Sequence, residues 1–221
     1  MTTLFVTGTD TEVGKTHVAC HLLRAAAAEG LRCAGYKPVA AGAEQTHQGL
    51  RNEDALALQA AGNIALEYDA INPYCFAPPI APHLAAQEAG VEINAAHLSA
   101  QHDVLAAQMD WLVVEGAGGW RVPLGPDWDC ADWVGSAGWP VLLVVGMRLG
   151  CLNHALLTAE SIARQTRLVG WVANCLPPQQ NRLQENIETL VARMPAPLLG
   201  VFPGDGEGAQ DLQLKRLISG R

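Results

Sequence analysis

The chain has 221 residues, 49% of them hydrophobic, which suits one globular domain, yet no apolar run approaches the roughly 20 residues that a membrane helix requires. A formal net charge of −8 disfavours nucleic acid as a partner, because binding to phosphates needs clustered Lys and Arg. The six cysteines are widely spaced without a CxxC pair, so we expect reduced, mostly buried thiols rather than disulfides or a zinc site.

Short apolar runs alternate along the chain with longer runs rich in Ala and Leu, which predicts a parallel sheet whose strands are joined by helices. The first run, at residues 4–7, has no basic region before it and no cleavage site after it. We interpret it as a strand, not a signal peptide, and expect a cytoplasmic protein. The other predicted strands are residues 32–37, 111–115, 141–145, 168–173 and 198–201. The predicted helices are residues 17–29, 53–61, 95–109, 153–164 and 179–193.

A phosphate-binding loop follows the first predicted strand. Residues 8–16 read Gly-Thr-Asp-Thr-Glu-Val-Gly-Lys-Thr, a full match to GxxxxGK[ST] between a strand and a helix. Its backbone amides are suited to face phosphate oxygens, Lys15 to neutralise the β and γ phosphates, and the Thr16 hydroxyl to bind Mg²⁺. A glycine turn matched by chance is the alternative. The loop predicts a magnesium-nucleotide enzyme with one P-loop NTPase-like domain over residues 1–221, whose parallel sheet carries helices on both faces.

Two residues inside the loop narrow the class of protein. Partitioning and septum-placement ATPases carry an extra lysine just after the first glycine, where this chain has Thr9. This difference disfavours a nucleotide-dependent regulatory switch. Glu12 is an unusual anion beside phosphates, and it is suited to contact a cationic amine or a metal-bound water. A solvated loop carboxylate remains the alternative.

Three charged residues follow at or near the predicted carboxyl edge of the sheet. Lys37 ends the second predicted strand, where a cation stabilises a transferred phosphoryl group, although a solvated surface lysine also fits. Asp54 lies in the first turn of the second predicted helix, where the helix dipole alone favours an acid. Glu115 ends an apolar strand, as a magnesium ligand opposite the Thr16 hydroxyl would, and a strand-terminal surface glutamate is the alternative. Thr16, Asp54 and Glu115 are therefore candidates for one Mg²⁺ site.

Two more segments stand just past predicted strands, where ligands of such sheets bind. Asn174 is placed to bind a base edge through its amide, or is an ordinary turn-forming residue. The second segment opens the fourth predicted helix, where free amides form an anion site, although a helix N-terminus without a ligand fits equally. This second segment consists of Gly150, Cys151, Leu152 and Asn153.

The motifs TGTDTEVGKT, GYKPVAAG, LRNEDALALQ, NPY, WLVVEGAGGW, GCLNHALLT and GWVANCL, with the Pro82 and His83 pair, occur along one chain. In this combination the chain resembles the dethiobiotin synthetase family over most of its length. The resemblance implies a homodimeric ligase that converts 7,8-diaminononanoate, CO₂ and MgATP into dethiobiotin, ADP and phosphate. It also implies the route: an amine captures CO₂ as a carbamate, the carbamate attacks the γ-phosphate, and the second amine closes the ring on the resulting anhydride.

The resemblance also implies roles for individual residues. Lys37 becomes the catalytic lysine, assisted by Lys15 and Thr11, while Thr16, Asp54 and Glu115 bind Mg²⁺ beside the nucleotide. The other nucleotide-binding residues that it implies are Glu12, Val13, Gly14, Lys15, Thr16 and His17 at the phosphates, and Asn174, Cys175, Pro203, Gly204, Asp205 and Gln210 at the base. The implied substrate-binding residues are Glu12, Lys37, Ala41, Glu115 and Gly118, joined across the dimer interface by Gly150, Cys151, Leu152 and Asn153, which hold the carboxylate tail.

Ala41 departs from the family pattern, because a serine is expected there. A hydroxyl contact to the substrate is therefore missing, and Thr11 or a backbone amide is expected to replace it. The Gly-rich, acidic segment 204–210 departs as well, which leaves the choice of nucleotide base open. Two other functions compete: a regulatory ATPase, and a P-loop amide-forming ligase, which commonly carries a glutaminase domain for which this chain has no room.

Overall fold

The computed structural model describes residues 3–175, 177, 180–203 and 217. Its strands are β1 (Thr3–Gly8), β2 (Cys33–Tyr36), β3 (Val39–Ala41), β4 (Glu44–Thr46), β5 (Gly49–Arg51), β6 (Tyr74–Phe76), β7 (Trp111–Glu115), β8 (Val141–Gly146), β9 (Leu168–Asn174) and β10 (Leu198–Phe202). Its helices are α1 (Lys15–Ala28), α2 (Glu53–Ala61), α3 (Tyr68–Ile71), α4 (Pro82–Glu88), α5 (Ala95–Ala106), α6 (Cys130–Ala137), α7 (Cys151–Gln165) and α8 (Leu183–Arg193).

Six strands form one parallel sheet in the order β10-β9-β8-β1-β7-β2. These are the six strands that the sequence predicts, so the predicted fold class is confirmed. Because β1 lies between β7 and β8, the loop after β1 opens beside the ends of both neighbours. The register pairs Val6 with Glu115 and Gly8 with Val144. The carboxyl ends of parallel strands share one edge, and this edge gathers the candidate residues.

Alternation along β1 explains why helices cover both faces of the sheet. Leu4 and Val6 belong to one apolar cluster and Phe5 to the other, and all three are fully buried. Helix α1 packs into the first cluster, whereas α5, α6, α7 and α8 pack into the second. Burying side chains of this size stabilises the fold by about 1.5–3 kcal/mol each. The near-continuous apolar strands are thus explained by two covered faces.

The boundaries of four helices differ from the predictions, and one of these is α7, which covers Cys151–Gln165 and not residues 153–164. Helix α1 begins at Lys15, not residue 17, because the phosphate loop runs directly into its first turn. Helix α5 ends at Ala106, not residue 109. Helix α8 begins at Leu183, not residue 179, since Arg182 takes a left-handed conformation with φ 56° just before it. Helix α2 has its predicted bounds, and the Asn52 side chain caps it by accepting from the Ala55 amide.

Several short elements escaped the sequence analysis. The segment between β2 and α2 forms β3, which pairs with β6, and the exposed hairpin of β4 and β5. Helices α3, α4 and α6 were also missed. All six cysteines are free thiols, five of them buried and Cys75 half-buried, as predicted. Over the residues that the structure describes, no helix has the length and apolar character needed to span a membrane.

Candidate active site

The phosphate loop is held by its neighbours on the sheet. The Thr9 amide donates to the Val144 carbonyl at 3.0 Å, and the Lys15 ammonium donates back to the Asp10 carbonyl at 3.0 Å. The loop needs two left-handed residues, Gly14 at φ 86° and Glu12 at φ 58°. Glycine is suited to this conformation, whereas a glutamate accepts it at an energetic cost. The loop is therefore built into a fixed, tight shape.

Asn174 closes on the loop from the end of β9. Its side-chain amide nitrogen donates to the Val13 carbonyl at 2.8 Å, and Asn174 is only 7% exposed. A Cβ atom on Gly14 would lie 2.1 Å from the same nitrogen, so no other residue fits there without displacing Asn174. On the other side of the loop, the carboxylate of Asp10 pairs with Arg148, just past β8. The sequence predicts Asn174 as a base contact or a turn residue, and no local signal indicates this hydrogen bond.

Four side chains form a closed ring next to the loop, which we call the Lys37 cluster: Thr16, Lys37, Asp54 and Glu115. The Lys37 ammonium lies 2.7 Å from Glu115 Oε1 and 3.0 Å from Asp54 Oδ2. The Thr16 hydroxyl lies 2.7 Å from Asp54 Oδ1 and 2.9 Å from Glu115 Oε1, and its proton serves one of them at a time. The cluster joins α1, α2 and the ends of β2 and β7.

Charge and burial together set the protonation of the cluster. Burial acts to lower the pKa of Lys37, but the charges of Glu115 and Asp54 outweigh it and hold that pKa above its usual value. Burial acts to raise the pKa of Asp54, yet the Lys37 charge and the Thr16 hydroxyl hold it below its usual value. Burial, with a smaller effect of the Lys37 charge, lowers the pKa of Lys15 to about 8. Lys37 is thus a buried ammonium, not the solvated surface lysine considered as an alternative.

The oxygen atoms of the cluster fit Mg²⁺. Glu115 Oε2 is buried and has no hydrogen-bond partner among the residues that the structure describes, so one strong acceptor is left over. Mg²⁺ prefers one or two carboxylates and completes its octahedron with water and phosphate oxygens. Asp54, Glu115 and the Thr16 hydroxyl match that set. In the described parts of the chain, no group of three or more His, Cys, Asp or Glu residues suited to a metal is present.

A cleft of about 890 Å³ opens above the Lys37 cluster. Its lining contains many of the predicted site residues: Thr11, Glu12, Gly14, Lys15, Thr16, Lys37, Ala41, Asp54 and Gly118. Other lining residues were missed by the sequence analysis, among them Asn52, Ile80, Arg121 and Val122. Arg121 directly follows the WLVVEGAGGW motif, and its guanidinium pairs with Asp129 at 2.8 Å. Its position directly after that motif is the sequence feature from which Arg121 could have been predicted as a cleft residue.

A hydrogen-bond relay behind the cleft was also missed. Asn72, which is 2% exposed, donates from its side chain to the Lys37 carbonyl at 2.7 Å. The Tyr68 hydroxyl donates to Asn72 Oδ1 at 2.9 Å and accepts from the Asn52 amide at 2.8 Å. Since Asn52 caps α2, the relay connects the backbone of Lys37 to the helix that carries Asp54. The NPY motif contains Asn72, but only the fold brings Tyr68 to it.

The remaining predicted residues lie away from the cleft or outside the described chain. The segment Gly150, Cys151, Leu152 and Asn153 begins α7 and contributes nothing to the cleft lining of its own chain. The ring of His17 packs edge-on against Phe202, and burial lowers its pKa. Cys175 is buried, and its amide donates to the Phe202 carbonyl. Pro203 follows β10 and is half-buried. Gly204, Asp205 and Gln210 lie outside the described residues.

A glycine-rich loop between β1 and α1, with a carboxylate ending the neighbouring strand β7, defines the class of P-loop nucleotide-binding proteins. The septum site-determining protein MinD of Pyrococcus horikoshii, solved with Mg-ADP, has the same fold, with a TM-score of 0.58 and 15% identity over 92% of this chain and 82% of that chain. A family model described as an AAA domain matches residues 2–207.

Two relatives are far more similar in sequence. The ATP-dependent dethiobiotin synthetase BioD of Pseudomonas aeruginosa (strain LESB58) is 57% identical over 205 residues, which cover 92% of this chain and 90% of that protein. BioD 1 of Escherichia coli (strain K12) is 50% identical over 216 residues, covering 97% and 96%. The chain belongs to the family of ATP-dependent dethiobiotin synthetases, and the resemblance stated from its motifs is confirmed.

Proposed function

We propose that this protein is a ligase that forms dethiobiotin from 7,8-diaminononanoate and CO₂, with ATP converted to ADP and phosphate. Family membership supports the reaction, and one observation carries it to this site. A buried lysine, Lys37, faces the same cleft as Lys15 and Thr16 of the phosphate loop. The extra lysine of the regulatory ATPases lies within the phosphate loop, where this chain has Thr9, whereas Lys37 follows the neighbouring strand β2.

The two lysines divide the work of phosphoryl transfer. Transfer to a weak oxygen nucleophile such as a carbamate depends on positioning and on charge neutralisation. Lys15 sits in the loop that would hold the β and γ phosphates, and Lys37 neutralises charge on the γ-phosphate and on the attacking carbamate oxygen. ADP leaves as the phosphorus–oxygen bond to the carbamate forms. Mg²⁺, held by Thr16, Asp54 and Glu115, would supply further positive charge beside the phosphates.

The diamine end requires anions and hydrogen-bond acceptors, which this cleft contains. Glu12 lines the cleft beside Thr11, whose hydroxyl lies 3.6 Å from the position of a Cβ atom on Gly118. The phosphate loop and the loop after β7 therefore both line the cleft in which we propose that the substrate binds. In this proposal one amine nitrogen attacks CO₂, and after phosphorylation the second attacks the carbonyl carbon and expels phosphate. The two nitrogens are oriented by Thr11, Glu12, Glu115 and Gly118. Ala41, which lines the same cleft, has no hydroxyl to contribute.

We also propose that the protein is a cytoplasmic homodimer in which residues 150–153 of one subunit hold the substrate carboxylate bound by the other. Two exposed apolar residues support a protein contact at this place. Leu149, directly before α7, is 95% exposed, and Leu157, two turns into the helix, is 58% exposed. The free amides at the start of α7 would face the carboxylate. The adenine-binding roles of Asn174, Cys175, Pro203, Gly204, Asp205 and Gln210 stay proposals of the same kind.

The direct test is ADP release measured with and without the diamine. ADP formation should require the diamine, bicarbonate and Mg²⁺ together, with dethiobiotin identified by its mass. Lys37→Gln should lower kcat by orders of magnitude while ATP affinity changes far less, because the lysine acts on the transferred group. Arg164→Gln, which removes a cation exposed on α7, is the matched control and should leave kcat unchanged. ATP turnover that is rapid without diamine and unaltered by it would favour a regulatory ATPase instead.

A further inference from the structure

Lys37 lies where a cation bound by Asp54 and Glu115 would also lie. Its ammonium nitrogen is 3.0 Å from Asp54 Oδ2 and 2.7 Å from Glu115 Oε1, and the Thr16 hydroxyl contacts Asp54 Oδ1 and the same Glu115 oxygen. The Lys37 side chain is 4% exposed and the Glu115 side chain is fully buried. The lysine is therefore an internal counter-cation for the two carboxylates that match a magnesium site.

An ammonium group and a magnesium ion exclude each other at these oxygens. Mg²⁺ binds oxygen at about 2.0–2.1 Å, and Glu115 Oε1 lies 2.7 Å from the Lys37 nitrogen, so an ion bound to that oxygen would lie within about 5 Å of the ammonium and repel it strongly in a buried site. Lys37 is equally unable to leave without compensation, because a buried charge separated from its partners is costly. Metal binding and lysine pairing are alternatives at the same two carboxylates.

We propose that Lys37 keeps free Mg²⁺ out of this site, and that nucleotide phosphate opens the site by accepting the lysine. The inference rests on the proposed function for the identity of the metal ligands. Lys37 lines the same cavity as Lys15 and Thr16, so phosphate held by the loop offers the ammonium a new anionic partner within reach of its present position. One exchange then admits the metal and delivers the catalytic lysine to the γ-phosphate.

Lys15 provides an internal control for this proposal. It is a second buried lysine of the same cleft, and in the described structure its ammonium bonds to the Asp10 carbonyl, not to either carboxylate of the cluster. Removing Lys15 takes one positive charge from the neighbourhood but vacates no carboxylate oxygen. A general electrostatic effect would appear in both lysine variants, whereas competition for the carboxylates appears only when Lys37 is removed.

The test measures Mn²⁺ binding to the full chain without nucleotide, by electron paramagnetic resonance or calorimetry. We expect Lys37→Gln to bind Mn²⁺ at least tenfold more tightly than the wild type, although it is catalytically impaired. Lys37→Arg should bind as weakly as the wild type, and Lys15→Gln should gain far less than Lys37→Gln. Adding Asp54→Asn to Lys37→Gln should abolish the gain, which assigns the ion to this cluster. Lys37→Met repeats the measurement with an uncharged side chain of similar length in case the glutamine variant folds poorly.

Unchanged or weaker Mn²⁺ binding by folded Lys37→Gln and Lys37→Met would overturn the proposal, and so would an equal gain in Lys15→Gln. Circular dichroism of each variant establishes that it is folded. Production of dethiobiotin by the wild type is measured separately, so failure of the exchange leaves the proposed reaction standing. Conversely, a wild type that forms no dethiobiotin but shows the Mn²⁺ pattern would reject the reaction and keep the exchange.

Discussion

Tyr68→Phe is expected to impair catalysis although Tyr68 does not line the cleft. The hydroxyl connects the Asn52 amide at 2.8 Å to Asn72 Oδ1 at 2.9 Å, and Asn72 in turn binds the Lys37 carbonyl. Phenylalanine keeps the ring, which packs in a small apolar cluster, and removes only the oxygen. The substitution leaves one buried donor and one buried acceptor unsatisfied at about 1–3 kcal/mol each. A total near 3 kcal/mol corresponds to a loss of roughly 6–12 °C in Tm for a chain of this size.

Tyr36→Phe is the matched control, because it removes a buried hydroxyl that donates to the Leu98 carbonyl at 3.1 Å, away from the relay. It should cost less stability, since Tyr36 loses one hydrogen bond, whereas Tyr68 loses those to Asn52 and Asn72 and a 3.5 Å contact with Cys75 Sγ. We expect Tyr68→Phe to lower kcat about tenfold at saturating substrates, with the KM for ATP nearly unchanged. The reason is that losing the relay displaces the Lys37 side chain, which acts on the phosphoryl group during transfer and not on ATP binding. Both variants are assayed well below their Tm. Equal kcat values for the two variants would refute a positioning role for Tyr68.

Three further outcomes are expected. Asn174→Ala removes the hydrogen bond to the buried Val13 carbonyl, so the affinities for ATP and GTP should fall by a similar factor, roughly 30-fold for about 2 kcal/mol; a loss confined to ATP would instead indicate base recognition. Ala41→Ser restores a cleft hydroxyl and should lower the KM for the diamine roughly two- to tenfold, an effect that an unchanged KM would contradict. Burial raises the pKa of Cys130 to about 12, so at pH 8 this thiol should be alkylated in mass-spectrometric labelling only after unfolding, and rapid labelling of native protein would be inconsistent with that burial.

The features that the sequence predicted well are those encoded within one short segment. The phosphate loop combines glycine positions, a lysine and a hydroxyl within residues 8–16, and apolar strands with helices between them dictate a doubly covered parallel sheet. The Asn52 cap and the end at Gly62 define α2 locally, and its predicted bounds are those observed. Local signals of this kind require no knowledge of distant contacts.

Features that depend on contacts between distant residues could not be predicted from the sequence. The sequence alone also allowed Lys37 to be a surface lysine, because its ionic partners Asp54 and Glu115 lie outside its own segment, 17 and 78 residues further along the chain. The hydrogen bond of Asn174 to Val13 spans most of the sequence, and nothing near Asn174 indicates it. The start of α8 was misplaced because Arg182 takes a left-handed conformation, which an arginine rarely adopts. In each case the local sequence allows more than one conformation or role, and contacts in the folded structure determine which one occurs.

The order of the strands explains why these distant residues meet. Strands β1, β7 and β2 are consecutive neighbours and parallel, so the phosphate loop, Glu115 and Lys37 emerge at one edge in that order. Asp54 is the exception, because it arrives on α2 and not on a strand. Its position depends on where that helix begins, which Asn52 sets as the cap and as the donor to Tyr68. The one cluster member not fixed by the sheet is therefore the one tied to Lys37 by a separate buried relay.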